Sequence, residues 1–166
     1  MRFASFEIRT VRLRFRFSYS HALAARTENE SVILEARTDA GSAGYGETIP
    51  RPYLTGETIA STQADIQRFA AMLRGVDISS YSDLREKLEP IYRLADAERK
   101  TAAYCALELA CIDAAGKAFN QPARLWINSA NPECQPPRYT MPVGTSSPKK
   151  ACLLYTSPSP RDRGNH

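Results

Sequence analysis

Residues 101–126, TAAYCALELACIDAAGKAFNQPARLW, constrain the fold more than any other stretch of the chain. At helical spacing Ala102, Ala106, Leu109, Ala110, Asp113 and Lys117 trace one side, and Tyr104, Leu107, Cys111, Ala114 and Ala118 trace a neighbouring side, so an apolar belt covers much of the circumference. A helix of that kind is buried on more than one face. Its alanines and Gly116 let other backbone come close, and Gly116 costs helix stability that a surface helix has no reason to accept. The spacing predicts a central packing helix that starts near Ala97 and stops near Asn120. Asn120 tolerates left-handed backbone, and Gln121-Pro122 forbids continuation.

The segments before it supply something for that helix to pack against. Phe6 and Ile8, then Val11, Leu13, Phe15 and Phe17, alternate with polar residues, and the change of parity around Arg9-Thr10 predicts a bulge or break between two strand segments. Arg12, Arg14 and Arg16 fall together and read as a solvated strand face, since no Gly-rich loop or aromatic stacking set accompanies them. Ser18–Asn29 loses the alternation and reads as a polar loop carrying Tyr19, His21 and Arg26. Ser31–Thr38 is a second strand, Asp39–Ser42 a turn, and Ala43–Thr48 a third strand in which Gly44 and Gly46 make room for close backbone approach. Glu47, at the end of that strand, lacks an acid–base partner in sequence and reads as structural.

Ile49–Gly56 is a second loop, stiffened by two prolines and bearing Arg51 and Tyr53, with Thr55 able to cap the helix that follows. That helix is predicted over Glu57–Arg74, with Ile59, Ile66, Phe69, Ala70 and Leu73 inward and Gly75 closing it. Another starts at Ser82 with Leu84, Leu88 and Ile91 inward and is interrupted at Pro90. After Trp126 the Asn/Ser/Pro/Gln-rich residues 127–138 read as a linker. Tyr139–Val143 begins a strand and Ser147-Pro148-Lys149 opens a helix. From Cys152 onward, CLLYTSPSPRDRGNH has the composition of an unfolded tail, and it resembles translated sequencing-adaptor read-through. The expectation is that the natural protein continues past this point.

Composition narrows the function classes. The chain has 166 residues, 43% of them hydrophobic and 24% charged, which suits one domain with a real core. Its 22 basic and 18 acidic residues leave only +4, too little to draw in nucleic acid or a membrane surface. Cys105, Cys111, Cys134 and Cys152 form no CxxC pair and have no partnering histidine, so reduced thiols in a cytoplasmic protein fit better than zinc or disulfides. The N-terminus is too charged for a signal core, and the sequence contains no membrane-length apolar run. The predicted fold class is α+β, a three-stranded antiparallel meander followed by a helical bundle.

The order of EIRTVRLRFRF, ARTENESVIL, GYGET, PRPYLTGET and ALELACIDAAGKAFNQPARLW resembles the N-terminal capping domain of the enolase superfamily, in its mandelate racemase and muconate lactonizing enzyme branch. Within that branch it is most similar to dipeptide epimerases, such as L-Ala-D/L-Glu epimerase. The resemblance covers residues 1–151 and implies a capping domain over residues 1–128 and a linker and the start of a (β/α) barrel over 129–151, with the adaptor-like residues 152–166 expected to be a disordered tail and a sequencing artefact. It implies that the full-length enzyme holds Mg²⁺ and uses lysines to move a proton next to a carboxylate. It also implies a small carboxylate substrate such as a dipeptide, and a homo-oligomer.

No spaced acidic ligands and no Lys-x-Lys strand follow Thr140, so the resemblance implies neither catalysis nor a bound metal for this fragment. By motif, Arg26 of ARTE and Thr140 of YTMPV fall where dipeptide epimerases contact substrate, and Tyr19, His21, Arg51 and Tyr53 lie in the two loops that close over it. The alternative is a complete small binding or interaction module without catalysis.

Overall fold

A computed structural model describes the backbone of residues 1–21 and 24–127 and the side chains of 1–16 and 27–126. All of these residues fall in one unit, Met1–Pro132. Strands β1 (Phe3–His21), β2 (Ala24–Thr38) and β3 (Ala43–Thr48) form an antiparallel sheet in the order β1-β2-β3. Helices α1 (Pro52–Thr55), α2 (Ile59–Leu73), α3 (Tyr81–Ala97), α4 (Thr101–Phe119) and α5 (Arg124–Ile127) follow. This is the meander-then-helices arrangement expected from the sequence.

The sheet carries helices on one face. Thr10, Ile8 and Phe6 pair with Val32, Leu34 and Ala36, which in turn pair with Thr48, Gly46 and Gly44. Val32, Leu34 and Ala36 are fully buried on that face. Helix α4 lies against it, with Ala103, Ala106, Leu107, Ala110, Cys111, Ala114 and Ala115 all buried, as its all-round apolar belt requires. Contact between α4 and β3 is backbone to backbone. A Cβ placed on Gly44 would lie 2.1 Å from the Ala114 nitrogen, and one on Gly46 would lie 2.0 Å from the Ala106 oxygen. The two strand glycines and the alanine stripe of α4 are therefore two halves of one contact.

Side chains from α4 also close the outer edge of β3. The Tyr45 N–H donates to Asp113 at 2.9 Å, and Lys117 Nζ donates to the Ala43 carbonyl at 2.8 Å. Asp113 and Lys117 bond to each other at 2.7 Å. An edge strand normally leaves such backbone groups unpaired.

Several boundaries differ from expectation, each for a physical reason. Pairing runs without a break from Ser5–Arg37 to Arg14–Glu28, so no bulge occurs at Arg9-Thr10; the register slips instead between Phe3 and Ser5 and between Arg14 and Tyr19. What changes at Arg9-Thr10 is the face that is apolar. Phe6 and Ile8 point toward the helices, whereas Val11 and Leu13 occupy the opposite face, where Leu13 is 60% exposed. The expected loop at Ser18–Asn29 is the far end of a long hairpin, with backbone pairing as far as His21–Ala24. Its polar sequence hides the strand, because backbone pairing does not require an apolar alternation.

Helix α2 starts at Ile59, one residue after a reciprocal Thr58–Ser61 cap, so Thr58 rather than Thr55 is its N-cap. Thr55 instead belongs to the short helix α1, whose Gly56 adopts φ 77°. The central helix starts at Thr101, because α3 runs on to Ala97. Its far end matches the reading: Asn120, at φ 52°, is the left-handed cap.

Pro90 does not interrupt α3, which spans Tyr81–Ala97 as one helix after a Ser80 cap. The apolar stripe Leu84, Leu88, Ile91 and Ala95 is buried on both sides of the proline and holds the helix together across it. Because an interior proline removes one helical hydrogen bond, Pro90→Ala is expected to raise stability by about 1–3 kcal/mol, read as a higher urea midpoint. A lower midpoint would mean that Pro90 supplies a packing contact.

One tertiary contact was not legible at all. Glu57 lies between α1 and α2 and is 1% exposed. Its carboxylate accepts the Ala102 N–H at 3.1 Å on both oxygens and the Ala103 N–H at 3.3 Å. These are the second and third residues of α4, whose own cap position, Lys100, makes no side-chain cap.

Candidate functional site

Two segments carry the sequence-derived site residues, and the fold brings their bases together. The far end of the β1–β2 hairpin holds Tyr19 opposite Arg26 and His21 opposite Ala24 in the backbone register. The α1 segment holds Arg51 and Tyr53. Between the hairpin and that segment lies a cleft of about 400 Å³ lined by Glu28, Asn29, Glu30, Pro50, Pro52, Thr58 and Ile59. The side chains of Tyr19, His21 and Arg26 are outside those described, and Thr140 lies outside the described residues.

On the α1 side the geometry is built from the backbone up. Pro52 starts the helix, for which its fixed φ is suited, and the Leu54 and Thr55 N–H groups donate to the Arg51 carbonyl. This single turn places Arg51 and Tyr53 side by side, with Arg51 Nη1 donating to the Tyr53 hydroxyl at 3.1 Å. Tyr53 is 40% exposed and Leu54 68% exposed, so the turn presents an apolar surface next to a guanidinium. Such a pairing suits recognition of a ligand with both an anionic and an apolar part.

On the hairpin side, charge is already committed. Arg12 donates to Glu30 at 2.6 and 3.0 Å and lies 3.8 Å from Glu28. The hydrogen bond to Glu30 and the nearby carboxylates hold the Arg12 guanidinium above its ordinary pKa. The arginine at the neck of the hairpin therefore serves the hairpin itself, in keeping with its reading as a solvated strand face.

Acid–base candidates elsewhere have structural explanations. Burial, followed by the charge of Glu108 and a hydrogen bond to it, pushes the Tyr104 hydroxyl up. Burial likewise pushes up the thiol of the enclosed Cys111, which disfavours its nucleophilic form near neutral pH. Among the described residues no three carboxylate, imidazole or thiol groups converge as a metal site. What the described side chains offer is a guanidinium and a phenol beside apolar surface, which suits binding.

Comparison with known proteins shows which family the fold belongs to. Residues 5–125 match the domain described as mandelate racemase / muconate lactonizing enzyme, N-terminal domain. The chain belongs to the mandelate racemase/muconate lactonizing enzyme family. Family relatives include a hydrophobic dipeptide epimerase of Enterococcus faecalis, 28% identical over 122 residues, which cover 74% of this chain and 33% of that protein. An L-Lys-D/L-Arg epimerase of Desulforapulum autotrophicum is 34% identical over 107 residues, covering 64% of this chain and 28% of that protein.

The structure of the Enterococcus faecalis dipeptide epimerase, complexed with Mg and L-Leu-L-Tyr, superposes with a TM-score of 0.63 at 27% identity. It is matched over 74% of this chain and 33% of that one. The chain thus spans about a third of the length of the family members it matches. In family terms the described residues are the N-terminal domain. Sequence reasoning read both segments as loops, from lost alternation at Ser18–Asn29 and from two prolines at Ile49–Gly56. It missed Glu57, whose only signal is the lack of a capping side chain at Lys100.

Proposed function

We propose that this domain covers the substrate and sets specificity in an isomerase of the family, one that epimerises a dipeptide by removing and returning the proton next to a carboxylate. The observation that carries the reading is the convergence of the hairpin and the α1 segment on one cleft, in a chain whose relatives include several dipeptide epimerases. In this reading Arg26 and Arg51 bind anionic or polar groups of a dipeptide. Tyr19, His21 and Tyr53 orient it and exclude water, and Thr140 contacts it from beyond the described residues.

Mg²⁺ fits the reading through the relatives alone, two of whose structures are complexed with Mg. The described residues do not form a donor set for it. When bound in the full-length enzyme, the metal supplies stabilisation of the negative charge that develops on the substrate carboxylate. The reading assigns the metal ligands and the proton-transferring lysines to a barrel outside the described residues. It makes this chain inactive alone and part of a cytoplasmic homo-oligomeric enzyme.

The test joins this domain to a matching barrel and compares Arg26 with alanine at that position. A charge-assisted contact is worth roughly 1.5–3 kcal/mol, so Arg26→Ala is expected to lower kcat/KM about ten- to a hundred-fold with stability nearly unchanged. A panel of acidic, neutral and hydrophobic dipeptides reads the specificity, and the unjoined chain is the inactive control. An equal loss on every dipeptide, or none on any, removes Arg26 as a specificity residue. Exchange of a substrate α-proton with deuterated solvent by the unjoined chain overturns the division of labour.

A further inference from the structure

The connection between α1 and α2 is pinned at each residue. Thr55 closes α1 by donating from its N–H to the Arg51 carbonyl. The Glu57 N–H donates to the Thr55 hydroxyl at 3.4 Å, and Thr58 forms the reciprocal cap of α2 with Ser61. In the middle of this run a charged side chain is fully enclosed, which folding tolerates only when the charge is satisfied. Here the three N–H contacts from Ala102 and Ala103 satisfy it, across 45 residues of sequence. The N-terminus of α4 favours the negative charge in turn.

A glutamate is not needed merely to cap α4. A serine, threonine, asparagine or aspartate at Lys100 would do that locally. What the distant cap adds is a tether: it fixes the α1 turn, with Arg51 and Tyr53 on it, to the most deeply packed helix of the domain. We infer that Glu57 is a positioning residue for the α1 segment, holding Arg51 and Tyr53 in place from below through the N-terminus of α4. This rests on the reading that the α1 segment meets substrate, but the tether itself is testable without any substrate.

The experiment is amide hydrogen exchange on the whole 166-residue chain, comparing Glu57→Gln with the double variant Glu57→Gln/Lys100→Ser. The substituted side chain lacks the charge and keeps one acceptor oxygen, with an N–H in place of the second acceptor of the Ala102 amide. The amides of Leu54, Thr55 and Gly56, and those of Ala102 and Ala103, are expected to exchange roughly tenfold faster or more, while those of β2 are unchanged. Serine at position 100 restores a local cap, so Ala102 and Ala103 regain protection in the double variant. If Glu57 is a tether, Leu54–Gly56 remain fast there, because a local cap cannot reach the turn.

Protection of Leu54–Gly56 that returns together with that of Ala102 and Ala103, or that never falls in either variant, overturns the inference. If the single variant does not fold, the double variant alone reads the same contrast. Loss of the Arg26 effect on dipeptides would sink the substrate reading and leave this result standing.

Discussion

Gly46→Ala is expected to lower the stability of the domain by about 3 kcal/mol, since the added methyl meets backbone rather than a side chain that can turn aside. Its Cβ would lie 2.0 Å from the Ala106 oxygen and 2.8 Å from the Ala110 nitrogen, so β3 and α4 must move apart. That movement also strains the Asp113 and Lys117 bonds to the β3 edge. Urea unfolding at unchanged slope gives the loss directly. Gly41→Ala is the control. Gly41 has φ 83° and open space around it, so alanine there pays only for left-handed backbone, about 1–2 kcal/mol. Equal losses at the two positions would mean that the close approach of β3 and α4 is not what fixes glycine at position 46.

Phe69→Ala is expected to cost about 3–5 kcal/mol, the range for emptying a fully buried aromatic site. Phe69 is 0% exposed in the core between α2 and the sheet, and the Arg68 guanidinium lies 4.8 Å from its ring centre. Leu13→Ser, by contrast, is expected to change stability by no more than about 0.5 kcal/mol, as surface substitutions do. Both residues belong to clear apolar periods in the sequence, and they differ only in what lies opposite. Thermal unfolding of the two variants side by side checks the pair, and a loss at Leu13 approaching that at Phe69 would show that the outer face of the hairpin is covered.

That contrast indicates why part of the fold was legible and part was not. Helix α4, the strand cores and the two strand glycines are legible because each is a local pattern imposed by one packing surface, and the surface repeats at the period of the element. Beyond Phe17 the hairpin's residues carry no alternation to read, and Ser18–Asn29 has the look of a loop. Pro90 misleads in the opposite direction: a strong local rule loses to four buried side chains spread along α3. Of the site, the pairing of Arg51 with Tyr53 on one short segment was legible. The link between Glu57 and α4 was not, because a hydrogen bond to backbone 45 residues away leaves no trace in the identity of its acceptor's neighbours.

The bonds that Asp113 and Lys117 make to β3 bear on how such a sheet can associate. Past the bridge between Phe3 and Arg74, β1 pairs with β2 alone among the described residues. Two copies meeting through β1 would form a doubled sheet whose outermost strands are both β3. Each of those strands already has its Tyr45 N–H and Ala43 carbonyl occupied from within its own chain. At these two positions the α4 side chains occupy backbone groups that an added strand would otherwise pair with.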